Sequence, residues 1–193
     1  VPICSMRPPF ITALAAEDRC HLNGLAMQRG RPMYVTALGT SDEPEGWRDD
    51  KAHGGVILHV PGGEVVADGL AMPHSPRCHD GELWVLDSGR ARLGRVDVQA
   101  GRVEPVVELP GYARGLALGG GYAFVGLSMA RERRHFGGLP IDDRRDELRC
   151  GIVAVYLRSG RPAGRLLFER GCEELFDLAL LPHRRPAVLG LEK

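Results

Sequence analysis

Leu83-Trp-Val-Leu-Asp87 is a five-residue run, apolar except at its end, with Gly81 and Gly89 on either side. It is too short for a helix and has the composition of a strand buried on both faces. Three other runs share its character: Tyr34-Val-Thr-Ala-Leu38, Ala123-Phe-Val-Gly-Leu127 and Ala187-Val-Leu-Gly-Leu191. Their central valines, Val35, Val85, Val125 and Val188, are 50, 40 and 63 residues apart.

The surroundings of these anchors repeat too. Before each lies a short strand: Asn23-Gly-Leu-Ala26, His74-Ser-Pro-Arg77, Arg114-Gly-Leu-Ala117 and Asp177-Leu-Ala-Leu180. After the first three comes a third strand, at 55–60, 93–98 and 152–157. A glycine turn then leads to a fourth, at 64–67, 103–107 and 162–168. Four antiparallel strands per copy, at a period of roughly 40–50 residues, make the blade of a β-propeller. The competing all-β reading, a β-sandwich, has evenly spaced strands but no recurring order of strand types. The expected fold is therefore all-β and β-propeller-like, a single domain over 1–193. It has three complete four-stranded blades and partial blades at both ends, an incomplete ring. Pro8-Pro-Phe-Ile-Thr12 reads as the last strand of an earlier blade, and 177–191 as the start of a fourth. A propeller closes with roughly four to eight blades. The count thus predicts a fragment of a longer protein or an open stack with two edges, the missing blades coming from the rest of the chain or another subunit.

The long third spacing has a visible cause, an insertion at 129–150. Its charged segment Arg131 to Arg149 holds little that could form a core, and it reads as a solvated loop or a lid hinged at Gly137-Gly138.

Composition narrows the function classes. The formal net charge is zero, with 25 basic and 25 acidic residues, and no basic stripe suggests nucleic acid. Only Lys51 and Lys193 are lysines, so the positive charge is nearly all guanidinium. No apolar run approaches the roughly 18 residues of a membrane span. Cys4, Cys20, Cys78, Cys150 and Cys172 show no zinc spacing and read as reduced, mostly buried thiols of a cytoplasmic protein.

The repeat brings one position to the start of every inner strand. It holds Asn23, His74, Arg114 and Asp177, eleven residues before the anchor valine in three copies and twelve in the first. Four polar residues of different kinds are unexpected in a core layer. With His21 and Arg77 they form a candidate ligand site at the channel mouth. The plainer alternative is that they satisfy backbone groups or line a watery channel. Arginine favours a small anionic molecule or a peptide carboxylate. Asn23, His74, Glu174 and Asp177 are the candidates for a divalent metal, which would make the protein a metal-assisted hydrolase or modifying enzyme. An inactive partial gene product is a third reading. Ser75 lacks the turn of a nucleophile elbow, and Gly119-Gly-Gly121 has no following helix to make a phosphate loop.

Several of these segments carry a family resemblance. They are His21-Leu-Asn-Gly-Leu-Ala26, Tyr34-Val-Thr-Ala-Leu-Gly39, Gly46-Trp-Arg48 with Lys51, and Met72-Pro-His-Ser-Pro-Arg77. They continue with Gly81-Glu-Leu-Trp-Val85, Arg114-Gly-Leu-Ala117, Phe124-Val-Gly-Leu-Ser128, Gly138-Leu-Pro-Ile141 and Phe176-Asp177. Together they resemble a bacterial conserved-hypothetical family, the domain of unknown function 4915. The resemblance implies a propeller-like protein longer than this chain, with more sequence on its N-terminal side, and no particular activity. Leu83 to Val98 also looks like the strand-and-turn pattern of lactonase and NHL-type propellers.

Overall fold

Two-residue turns set the register of this chain. Arg29-Gly30 and Asp80-Gly81 have positive φ at both positions, 51° and 75° in the first, 50° and 82° in the second. Gly120-Gly121 repeats this at 61° and 82°. Paired positive φ values match the right-handed twist of two antiparallel strands, and glycine reaches them without a Cβ clash.

The computed structural model describes residues 6–129 and 137–181. Those turns close the inner hairpins of three four-stranded antiparallel sheets. The first blade comprises β1 (Leu22–Gln28), β2 (Arg31–Ala37), β3 (Gly55–His59) and β4 (Val65–Leu70). The second comprises β5 (Pro73–His79), β6 (Glu82–Asp87), β7 (Arg92–Asp97) and β8 (Arg102–Glu108). The third comprises β9 (Tyr112–Gly119), β10 (Tyr122–Ser128), β11 (Gly151–Tyr156) and β12 (Pro162–Leu167). In each sheet, strands adjacent in sequence are adjacent in space, so the repeat is a set of propeller-like blades that do not close a ring. No helix among the described residues is long and apolar enough to cross a membrane.

Side-chain alternation explains the stacking. In β6, Leu83 and Val85 enter the core shared with the first blade, while Trp84 and Leu86 enter the core shared with the third. A central sheet covered on both faces needs an unbroken apolar strand, which is why Leu83 to Leu86 shows no polar alternation. In β3, Ile57 joins the first of these cores and Val56 and Leu58 face the opposite way.

Three expectations change. Residues 8–12 form no strand: the Ile11 N–H donates to the Pro8 carbonyl at 3.0 Å, and Phe10 and Ile11 pack on Cys20, Ala37, Val56 and Leu58. Pro8 and Pro9 lack the N–H groups that a ladder needs, so this segment covers the first blade's outer face as a turn. Residues 177–180 likewise have no ladder, and their expected partner, 187–191, lies outside the described residues. They nonetheless run beside β9: a Cβ built on Gly115 would sit 2.7 Å from the Asp177 Cα. Finally, the insertion does supply core. Leu139, Ile141 and Leu148 are buried between the second and third blades. A 3-10 helix at Pro140–Glu147 holds them, its start capped by the Asp142 carboxylate accepting from the N–H groups of Gly138 and Leu139. The charged face is solvated as the sequence implies, but three well-spaced apolar residues tie the loop down. Residues 130–136 of the proposed insertion lie outside the described residues.

Candidate functional site

Among the described residues, the inner strands β1, β5 and β9 each carry a bulge at the same level. In β1 the pairing with β2 shifts between Leu22 and Gly24, leaving Asn23 as the extra residue. In β5 the shift against β6 falls between His74 and Arg77, and in β9 it falls between Ala113 and Leu116. A bulge inserts one residue, twists the strand and re-aims the side chains beside it. Ser75 sits in the second bulge at a φ of 52° and Gly115 in the third at 80°. The Gly115 N–H donates to the Ser75 hydroxyl at 3.1 Å, which ties the two bulges together.

These bulges and the segment after the third blade bring Asn23, His74, Arg77, Arg114 and Asp177 to one pocket of about 470 Å³. Asn23 bridges two blades: its amide donates to the Pro73 carbonyl at 2.9 Å and accepts from the buried Thr36 hydroxyl at 2.6 Å. Arg77 is similarly committed. Its Nε donates to the Leu116 carbonyl at 3.0 Å, and its terminal nitrogens reach the Pro76 carbonyl and Asp177. Arg114 donates to Glu174 at 2.8 Å and lies over the Phe176 ring, 4.2 Å from its centroid.

His74 is 8% exposed. Its Nδ1–H donates to the Met72 carbonyl at 2.9 Å, and its ring meets Tyr112 edge-on at 5.9 Å. Burial lowers its pKa to about 4, against the raising effect of the Met72 hydrogen bond, with the charges of Arg114 and His21 adding to the depression. The ring is therefore neutral at pH 7 with Nε2 as an acceptor, and among the described residues no hydrogen bond engages that atom.

The structure separates His21 and Glu174 from the pocket lining. His21 has a φ of 53°, pairs with Asp18 at 2.8 Å and leans on Trp47 with ring centroids 4.9 Å apart. Glu174 touches the site through Arg114. The metal candidates do not form a ligand set: among the described residues no three of His, Cys, Asp and Glu converge. None of residues 137–150 lines the pocket either. Phe176, Leu25 and Met27 do line it and were not singled out by the repeat. They add apolar surface to the lining beside the polar groups. Phe176 lies within the quoted Phe176-Asp177 motif, the one sequence signal that pointed toward it.

The C-terminal wall depends on Gly115. Gly115→Val is expected to strain the backbone by roughly 1–3 kcal/mol and to push the Asp177 backbone away. Amide exchange at Leu175, which donates to the Ser128 hydroxyl at 3.0 Å, should then rise well above that of the blade cores. Unchanged protection at Leu175 would show that the wall stands without this contact.

A family model described as Domain of unknown function (DUF4915) matches residues 4–189. No curated protein matches the chain. Among solved structures, it is similar to the computationally designed Ika4 protein, with 11% identity over 91% of this chain and 88% of that one, at a TM-score of 0.49. It is also similar to the dihydro-heme d1 dehydrogenase NirN, with 14% identity, 78% and 28% coverage and a TM-score of 0.45. The Neurospora crassa Pan2 WD40 domain follows, at 9% identity, 76% and 40% coverage and a TM-score of 0.41. The chain thus spans less than half the length of the latter two.

Proposed function

We propose that this chain, which belongs to the Domain of unknown function (DUF4915) family, is a propeller-like binding protein for a small anionic molecule or a peptide carboxylate. The observation that carries this reading is convergence: three blades and the segment after them bring two arginines, a neutral histidine and an aromatic ring to one pocket of about 470 Å³. Ligand pockets typically hold roughly 300–1,000 Å³ and combine an apolar wall with a few oriented polar groups.

The roles follow from the partners. Arg77 spends its donors on the scaffold, so Arg114 is the recognition group. Its pair with Glu174 is partly exposed, and such pairs contribute little in water. An incoming carboxylate can therefore replace Glu174 at small cost while Phe176 keeps the guanidinium over its ring. His74 adds no charge at neutral pH but accepts a hydrogen bond. The favoured ligand carries a carboxylate beside an amide N–H or hydroxyl. The metal-assisted reading has less support, because Asn23, His74, Glu174 and Asp177 each already hold a protein partner.

Calorimetry with N-acetylalanine and with its amide tests this. The acid is expected to bind and the amide to bind far more weakly. Arg114→Ala should weaken the acid by roughly tenfold or more, since a hydrogen bond to a charged group contributes about 1.5–3 kcal/mol. Equal binding of acid and amide, or an Arg114→Ala variant with wild-type affinity, would overturn the proposal.

A further inference from the structure

Cys150 leads into β11 and is buried; Cys172 lies at the start of the segment 172–181 and is half-buried. Their sulfurs are 3.6 Å apart, and the Cys172 thiol also donates to the Glu174 carbonyl at 3.4 Å. Cys20 belongs to the outer core of the first blade and Cys78 to the core between the first two blades, so neither shares this arrangement. The segment after Cys172 has no ladder. It is held to the third blade by the Met129 N–H on the Glu173 carbonyl and by the Ser128 hydroxyl, which exchanges hydrogen bonds with Leu175. It carries Glu174, Phe176 and Asp177, whose side chains meet Arg114 and Arg77.

We propose that Cys150 and Cys172 form a redox modification site, a dithiol that a low-molecular-weight disulfide converts to an intramolecular disulfide. The half-buried Cys172 thiolate attacks the external S–S bond, forming a mixed disulfide and expelling one thiolate. The Cys150 thiolate then attacks the Cys172 sulfur and expels the second. The protein loses two hydrogens, both taken up by the departing thiols, so the small disulfide is reduced as the dithiol is oxidised. The sulfurs must close from 3.6 Å to about 2.05 Å. Movement of Cys172 supplies this, because its segment is not bound into a sheet. The new bond fastens the pocket's C-terminal wall to the base of β11. That consequence for ligand binding rests on the function proposed above, whereas the disulfide does not.

The full chain incubated with oxidised glutathione, then acid-quenched, alkylated and digested, provides the test. A peptide linking Cys150 to Cys172 is expected, with slower amide exchange at Leu175 and Met129, both reversed by excess reduced glutathione. Cys150→Ser should leave a stable glutathione adduct on Cys172, because the resolving thiol is gone. A persistent adduct on the wild-type chain, or links from Cys172 to Cys4, Cys20 or Cys78, would overturn the site. N-acetylalanine titrated into both redox states should bind with different affinity. Equal affinity with the link formed overturns the coupling to the pocket and leaves the disulfide standing. Absence of binding in both states counts against the ligand reading instead.

Discussion

Lowering the pH from about 6.5 to about 4 is expected to remove about 3 kcal/mol of folding stability through His74. The unfolded chain takes up a proton on this imidazole near the ordinary histidine value. The folded chain does not until the pH reaches about 4, because burial strips away most of the water that would solvate an imidazolium. Between those limits the unfolded state binds more protons, so stability rises with pH. The contribution is complete above the unfolded value, shrinks as the medium acidifies, and is spent once both states are protonated. The charges of Arg114 and His21 deepen the depression. Carboxylates held below their ordinary range, such as Asp42, Glu64 and Asp142, lose stability at lower pH as well. They cancel in a comparison with His74→Gln, whose amide keeps a donor near Met72. Urea midpoints measured from pH 7 to pH 4 should show wild type falling relative to His74→Gln across this window. Parallel curves would mean that His74 carries no such linkage.

Trp47→Ala is expected to cost about 3–5 kcal/mol. Trp47 sits in a 3-10 helix at Gly46–Asp50, between β2 and β3, and is buried in a core that also holds residues of the second and third blades. It thus links the first blade to the others through side-chain volume. Its indole N–H donates to Asp18 at 2.9 Å, and the Arg48 guanidinium lies 4.2 Å from its ring centroid. Burial pushes the Asp18 carboxyl up, but hydrogen bonds from His21 and Trp47 outweigh it and hold the pKa below its ordinary value. Trp47→Phe keeps much of the volume and drops the hydrogen bond to Asp18. The expected order of stability is wild type, then Phe, then Ala, read from chemical denaturation. An alanine variant within about 1 kcal/mol of wild type would show that the cavity collapses at little cost.

The candidate site was only partly legible in the sequence. Counting back from the anchor valines picked Asn23, His74, Arg114 and Asp177 as equivalents, and all four line the pocket. The backbone contacts follow a slightly different level, however: a Cβ on Gly24 would meet Pro76 and Ser75, Ser75 bonds Gly115, and Gly115 abuts Asp177. The bulges cause that offset, since a period-two count does not register one extra residue in a strand. His21 was drawn in by proximity along the chain, but its positive φ turns it toward Trp47 and Asp18. The insertion misled for the opposite reason: Leu139, Ile141 and Leu148 are sparse among charges, and only a facing core reveals that they are buried.

By itself, the sequence determined the three blades, because strand composition and two-residue turns are local properties written within about ten residues of one another. Tertiary structure decided which residues share the pocket, which thiols meet and how the segment after the third blade is held. Those outcomes depend on contacts between residues 22 to 100 positions apart, set by bulges and by the stacking of one blade on the next. No local pattern carries that information.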